Sequence, residues 1–118
     1  MKAQHSSYWH AVCRLEDITP ETGVGVRLDG RQVALFRTRD DGLFALDNHD
    51  PFSRANVLAR GLLGSLQGRR VVASPIYKQH FCLDTGECLE DGEVRLAVYP
   101  VRLSRGQVEL AGPALAGG

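Results

Sequence analysis

Imidazole, thiol, carboxylate and hydroxyl groups gather in two short stretches, His49-Asp50 and Ser74 to Cys88, the second reading SPIYKQHFCLDTGEC. In type, His49, Asp50, His80 and Cys82 are the donors of a mononuclear metal site. Their spacing argues against one. His80-x-Cys82 puts two donors on one face of a strand, but no four-ligand pattern accompanies it. Hydrogen bonding within the loops is therefore the reading for His80 and for His49, which would brace the first loop. His5 and His10 have no identifiable partners in the sequence. Cys13, Cys82 and Cys88 are odd in number and form no C-x-x-C pair, so they read as small buried hydrophobes rather than a disulfide or zinc framework. Ser74 lacks a G-x-S-x-G elbow, and Gly61, Gly64 and Gly68 lack the Lys-Ser/Thr of a phosphate loop. Adjacent Arg69 and Arg70 read as solvated charge at a strand start. No catalytic residue and no metal site is assigned.

The elements that position these residues are strands. Short runs rich in Val, Leu, Phe and Tyr recur between turn signals, and helical spacing is scarce. YWHAVCRL (Tyr8 to Leu15) is the first strand, followed by a loop around Pro20 with at most one helical turn. Asp29-Gly30 joins two strands through a tight primed turn, and RDDG leads into a third strand, LFALDN. From His49 to Gly68 alternation fails, which predicts a long excursion rather than a strand. RRVVASP returns to strand, Thr85-Gly86 turns a small hairpin, and VRLAVYPVRLSRGQVEL closes the sheet, with Pro100 at a bulge or edge. The fold class is an all-β antiparallel sandwich with a loop-rich lobe from about His49 to Glu90. One domain spans 1–118, and the small, glycine-rich 112–118 reads as a loosely ordered tail.

Lys and Arg total 14 and Asp and Glu total 14, so no global basic field favours nucleic acid. No apolar run reaches the roughly 20 residues of a membrane span, and the N-terminus lacks a signal-type apolar core. A soluble cytoplasmic protein without a membrane partner is expected.

HDPFSRANVL (His49 to Leu58) and SPIYKQHFCLDTGEC resemble the two cluster-binding loops of Rieske iron–sulfur domains, which read Cys-x-His and Cys-x-x-His. Pro51, Pro75, Phe81, Asp84, Thr85 and Gly86 preserve the frame. Carried across position by position, the thiolates fall on Asp50 and Ser74 and the imidazoles on Phe52 and Tyr77. All four ligand positions are degenerate, and a phenyl ring has no lone pair to offer iron. From about Tyr8 to Leu110 the chain is similar to the small subunit of assimilatory NAD(P)H-dependent nitrite reductase, SPIYKQHF being the most specific part.

That resemblance implies a Rieske-type fold and a non-catalytic companion to a large subunit. Flavin, an iron–sulfur cluster and sirohaem would belong to that large subunit, with no cofactor in this chain. It also places Phe52 and Tyr77 at an exposed tip, in contact with one another, with Asp50 accepting hydrogen bonds from Ser74 or nearby N–H groups below. The tip of Phe52, Tyr77 and Lys78, rimmed by Arg54 and Arg60, is the candidate docking surface. The same aromatics could equally fill the space a cluster would leave, and the two roles are compatible. A Rieske-type ferredoxin serving an oxygenase is the alternative of another class, disfavoured because it requires the missing ligands. An interaction module for some other reductase is a third.

Overall fold

The computed structural model describes residues 9–112, and its elements there are strands apart from two single 3₁₀ turns. Strand β1 (His10–Arg14) is followed by a 3₁₀ turn at Leu15–Asp17, matching the single helical turn expected near Pro20. β2 (Thr22–Leu28) and β3 (Arg31–Arg37) form the hairpin about Asp29-Gly30, whose φ angles of 50° and 80° are those of a primed turn. β4 (Leu43–Asp47) completes a central sheet in the order β2-β3-β4.

Val33, Ala34, Leu35 and Phe36 on β3 are all buried, which a half-exposed strand would not allow. Successive side chains leave opposite faces, so burial of all four means that both faces are covered. Val33 and Leu35 join Ile18, Tyr99, Val108 and Leu110 in one cluster. Ala34 and Phe36 join Leu58, Val72, Phe81 and Leu83 in another. The first cluster is roofed by a sheet of order β1-β11-β10, made with β10 (Val101–Ser104) and β11 (Gln107–Leu110). The second is covered by the loop-rich lobe.

In that lobe β5 (His49–Asp50) pairs with β6 (Ala55–Asn56), and a 3₁₀ turn at Leu58–Arg60 leads into β7 (Leu62–Leu66). β8 (Arg69–Ala73) and β9 (His80–Cys82) complete the order β7-β8-β9. Every strand pairing in these sheets is antiparallel. The Thr85-Gly86 hairpin forms as expected: Gly86 sits at φ 79°, and a Cβ there would lie 2.1 Å from the Leu96 carbonyl oxygen. Only glycine fits.

Three expectations change. The excursion from His49 to Gly68 contains β7, which LLGSL conceals because it has neither alternation nor β-branched residues; pairing with β8 makes it a strand. The closing run is broken before Pro100, where Arg95 and Val98 make only isolated bridges and β10 starts afterwards. Tyr99 anchors that segment by donating to Asp47 Oδ1 at 2.6 Å, and burial, then Asp47, push its hydroxyl up to about 12. The first strand starts at His10, while Tyr8 and His5 lie outside the described residues. Order continues through buried Ala111, whose N–H donates to Pro100 at 3.0 Å; of the expected tail only Gly112 is described.

Candidate functional site

Two five-residue loops, Asp50–Arg54 and Ser74–Lys78, form the end of the lobe, and they share one construction. Each begins with a short polar residue followed by proline and ends on a cation: DPFSR and SPIYK. In the first, Asp50 Oδ1 accepts from Phe52 N–H at 2.9 Å and Asp50 C=O accepts from Arg54 N–H at 2.7 Å. In the second, Ser74 Oγ accepts from Ile76 N–H at 3.4 Å and Ser74 C=O accepts from Lys78 N–H at 3.1 Å. These are Asx- and Ser-type turns closed into one α-turn each. Arg54 and Lys78 both take left-handed φ, 60° and 68°, to finish the turn.

At the base the loops are tied together. Asp50 and Ser74 are fully buried, and Ser74 Oγ donates to Asp50 Oδ2 at 2.5 Å, where Ser53 Oγ also donates at 3.0 Å. Burial pushes the Asp50 carboxyl up, but the bonds from Ser74, Phe52 N–H and Ser53 outweigh it and hold the group below its ordinary value. An ionised carboxylate with satisfied lone pairs stands there, as the sequence led us to expect.

Above that base the expected aromatic pair is absent. The Phe52 ring turns inward and meets Phe81, with centroids 6.2 Å apart and planes at 44°, packing on the lobe's core. Tyr77 points the other way and is 59% exposed. The two positions differ in the turn: Phe52 is the second residue after Asp50, Tyr77 the third after Ser74. The extra step sends the phenol off the core side, so hole filling falls to Phe52 alone. Lys78, Arg54 and Arg60 are exposed as expected, and none is in an ion pair among the described residues.

Two apolar residues at this end were missed. Ile76 is 45% exposed and Leu62 is 75% exposed. Ile76 was legible in SPIYK as the neighbour of Tyr77, whereas Leu62 is placed by its pairing with Ala73, the residue before the second loop. The remaining donors are dispersed. His49 Nδ1 lies 3.2 Å from Asn56 Oδ1 across β5 and β6, bracing the first loop. His80 contacts Glu90 through its N–H at 2.7 Å and Nδ1 at 2.6 Å. Cys88 Sγ donates to Glu90 Oε1 at 3.7 Å, and burial first of all pushes its thiol up. Cys82 and Cys88 are buried, and all three cysteines are free.

The frame of these loops is diagnostic. Residues 8–111 match the family described as a Rieske-like [2Fe-2S] domain. This chain belongs to that family. The Rieske-like domain is 45% identical over 107 residues to the nitrite reductase (NADH) small subunit of Escherichia coli K12, covering 90% of this chain and 99% of the relative. It is 46% identical over 100 residues to a stretch of the nitrite reductase [NAD(P)H] large subunit of Klebsiella oxytoca, covering 85% of this chain but 10% of that one. A crystal structure of a nitrite reductase small subunit from Mycobacterium tuberculosis superposes with TM-score 0.85 at 47% identity, covering 91% of this chain and 96% of the other.

The cluster in the family's description does not fit these residues. Such a cluster takes two thiolates and two imidazoles. Here the Asp50 carboxylate is already occupied by protein donors, Phe52 packs on Phe81, Ser74 bonds Asp50, and Tyr77 faces solvent. Among the described residues no three His, Cys, Asp or Glu side chains come together to hold a metal ion. Nor is any helix there long and apolar enough to cross a membrane.

Proposed function

We propose that this chain is the non-catalytic small subunit of an NAD(P)H-dependent nitrite reductase, acting in cytoplasmic nitrate assimilation, where nitrite is reduced to ammonia. The observation that carries this reading is near-full-length similarity to small subunits, combined with a Rieske frame whose inner positions are filled by hydrogen bonds among protein groups. Flavin, iron–sulfur cluster and sirohaem reside on the large subunit in this reading, and this chain holds no cofactor. Its contribution is contact.

The contact is made through the second loop. Tyr77, Ile76 and Leu62 supply apolar area, and Lys78, Arg54 and Arg60 supply unpaired charge at its rim, the composition of an interface with an acidic-rimmed partner. Phe52, placed at the tip by sequence reasoning, serves from behind by fixing the first loop to the core. Two measurements test the function. Nitrite-dependent NADH oxidation by the large subunit should rise when this chain is added, and an unchanged rate would remove the reading. Anaerobically purified chain should be colourless and free of stoichiometric iron; bound [2Fe–2S] would favour the ferredoxin alternative.

A further inference from the structure

We infer that the free edge of β7 is a strand-addition site for an extended segment of the large subunit, apolar along the edge and flanked by carboxylates, an inference that rests on the small-subunit reading. Among the described residues β7 is an outer strand, paired in its sheet with β8 alone. The hairpin between them turns through Gln67 and Gly68 at φ 55° and 75°, the two-residue geometry in which the flanking Leu66 and Arg69 exchange main-chain bonds. Bonded and non-bonded pairs alternate from there, so Gly64–Val71 and Leu62–Ala73 are bonded pairs. Leu63 and Ser65 therefore aim their N–H and C=O groups outward. The neighbouring strand agrees in phase: Leu83 N–H donates to Arg70 C=O at 2.9 Å, so Arg70, opposite Ser65, turns its main chain toward β9. Among the described residues no main-chain bond from elsewhere reaches Leu63 or Ser65.

Edges of this kind are ordinarily blunted by charge, proline or a covering segment. LLGSL has neither charge nor proline, and a Cβ built on Gly64 would meet nothing within 4 Å. An open cleft of about 420 Å³ adjoins it, lined by Leu63, Gly64 and Ser65 together with the charged Glu21, Arg39, Asp40 and Arg70. At the Leu62 end the edge continues into the second loop through the Leu62–Ala73 pair, where Arg54, Arg60 and Lys78 have no carboxylate partners among the described residues.

Charge selects the occupant. A second copy of this chain would bring the same unpaired cations into one interface, whereas a segment with carboxylates beyond its apolar stretch would neutralise them. In Klebsiella oxytoca a homologous stretch is part of the large-subunit polypeptide itself, which places a large subunit beside a domain of this kind. Main-chain pairing would give affinity, and the exposed Leu62 and Tyr77 would set the register.

Binding of the intact chain to purified large subunit tests this. Ser65→Pro deletes an outward N–H that the β7–β8 ladder does not use, while Ser65→Ala keeps it. Strand addition predicts that Ser65→Pro binds at least about tenfold more weakly than Ser65→Ala, which binds like wild type. It also predicts that the Leu63 and Ser65 amides exchange freely in the isolated chain and become protected in the complex. Equal binding by both variants without protection overturns the proposal, and Tyr77→Ala then reports separately on the loop contact. Failure of wild-type chain to bind at all removes the small-subunit reading itself. A wild-type dimer dissolved by Ser65→Pro overturns the proposal in favour of a second copy. Should Ser65→Pro not fold, amide protection in the wild-type complex decides alone.

Discussion

The loops Asp50–Arg54 and Ser74–Lys78 are built alike and used differently. Both start on a buried polar residue, pass through a proline and close by an N–H returning from a left-handed cation. The first directs its aromatic ring into the core against Phe81, while the second leaves Ile76 and Tyr77 in solvent. The difference teaches that one backbone device can aim a large side chain into the core or into solvent, depending on where it falls along the turn, and the proposed recognition tip is the solvent-facing case. A structural loop should reveal itself in stability, and a recognition loop in binding.

The largest effect is expected where the loops meet. Asp50→Ala leaves Ser74 Oγ, Ser53 Oγ and the Phe52 N–H without their buried acceptor, and should cost about 3 kcal/mol, lowering Tm by about 10 °C. Calorimetry checks it; a loss under about 1 kcal/mol would show that the two loops are not joined through this carboxylate. The same group sets an acid dependence. Its folded value is depressed, so its stabilisation is fully present above the unfolded carboxylate value near about pH 4 and is lost as pH falls toward the folded one. The stability gap between wild type and Asp50→Asn should therefore be constant from neutral pH to about pH 5 and narrow below about pH 4. A gap that widened on acidification would contradict an ionised Asp50.

Next in size is the contrast between the rings. Phe52→Ala opens a half-buried space beside Phe81 and should cost about 2 kcal/mol. Tyr77→Ala removes an exposed ring and should change stability by less than about 0.5 kcal/mol, yet weaken binding to the large subunit. Equal destabilisation by the two substitutions would erase the distinction between plug and tip.

Much of this frame was legible beforehand for physical reasons. Asp29-Gly30 announces a primed turn because few other dipeptides tolerate positive φ twice, and once the Rieske resemblance fixes which four positions would hold the ligands, side-chain chemistry shows that they cannot. The Asp50–Ser74 bond was legible too, since two small polar groups at facing loop bases need each other once buried. The direction of Phe52 was not: it depends on one residue of turn phase and on the cavity wall supplied by Phe81, some thirty positions away. β7 was hidden because an edge strand made of Leu, Gly and Ser takes its conformation from its partner rather than from its own propensity.

The smallest effect separates backbone from surface most cleanly. Arg54 and Lys78 both sit at left-handed φ, which costs a side-chain-bearing residue about 1 kcal/mol, while glycine brings back part of that as extra freedom in the unfolded chain. Arg54→Gly and Lys78→Gly should each therefore raise stability by about 0.5 kcal/mol, and by similar amounts if the two turns are equivalent. Denaturant titration of the two variants measures this. Their binding should diverge from their stability, because each substitution also deletes a cation from the rim of the tip. Lys78→Gly, adjoining Tyr77, should bind the large subunit more weakly than Arg54→Gly, although both are more stable than wild type. Stabilisation of one and destabilisation of the other would mean that the loops, for all their matching bonds, do not share a backbone strategy.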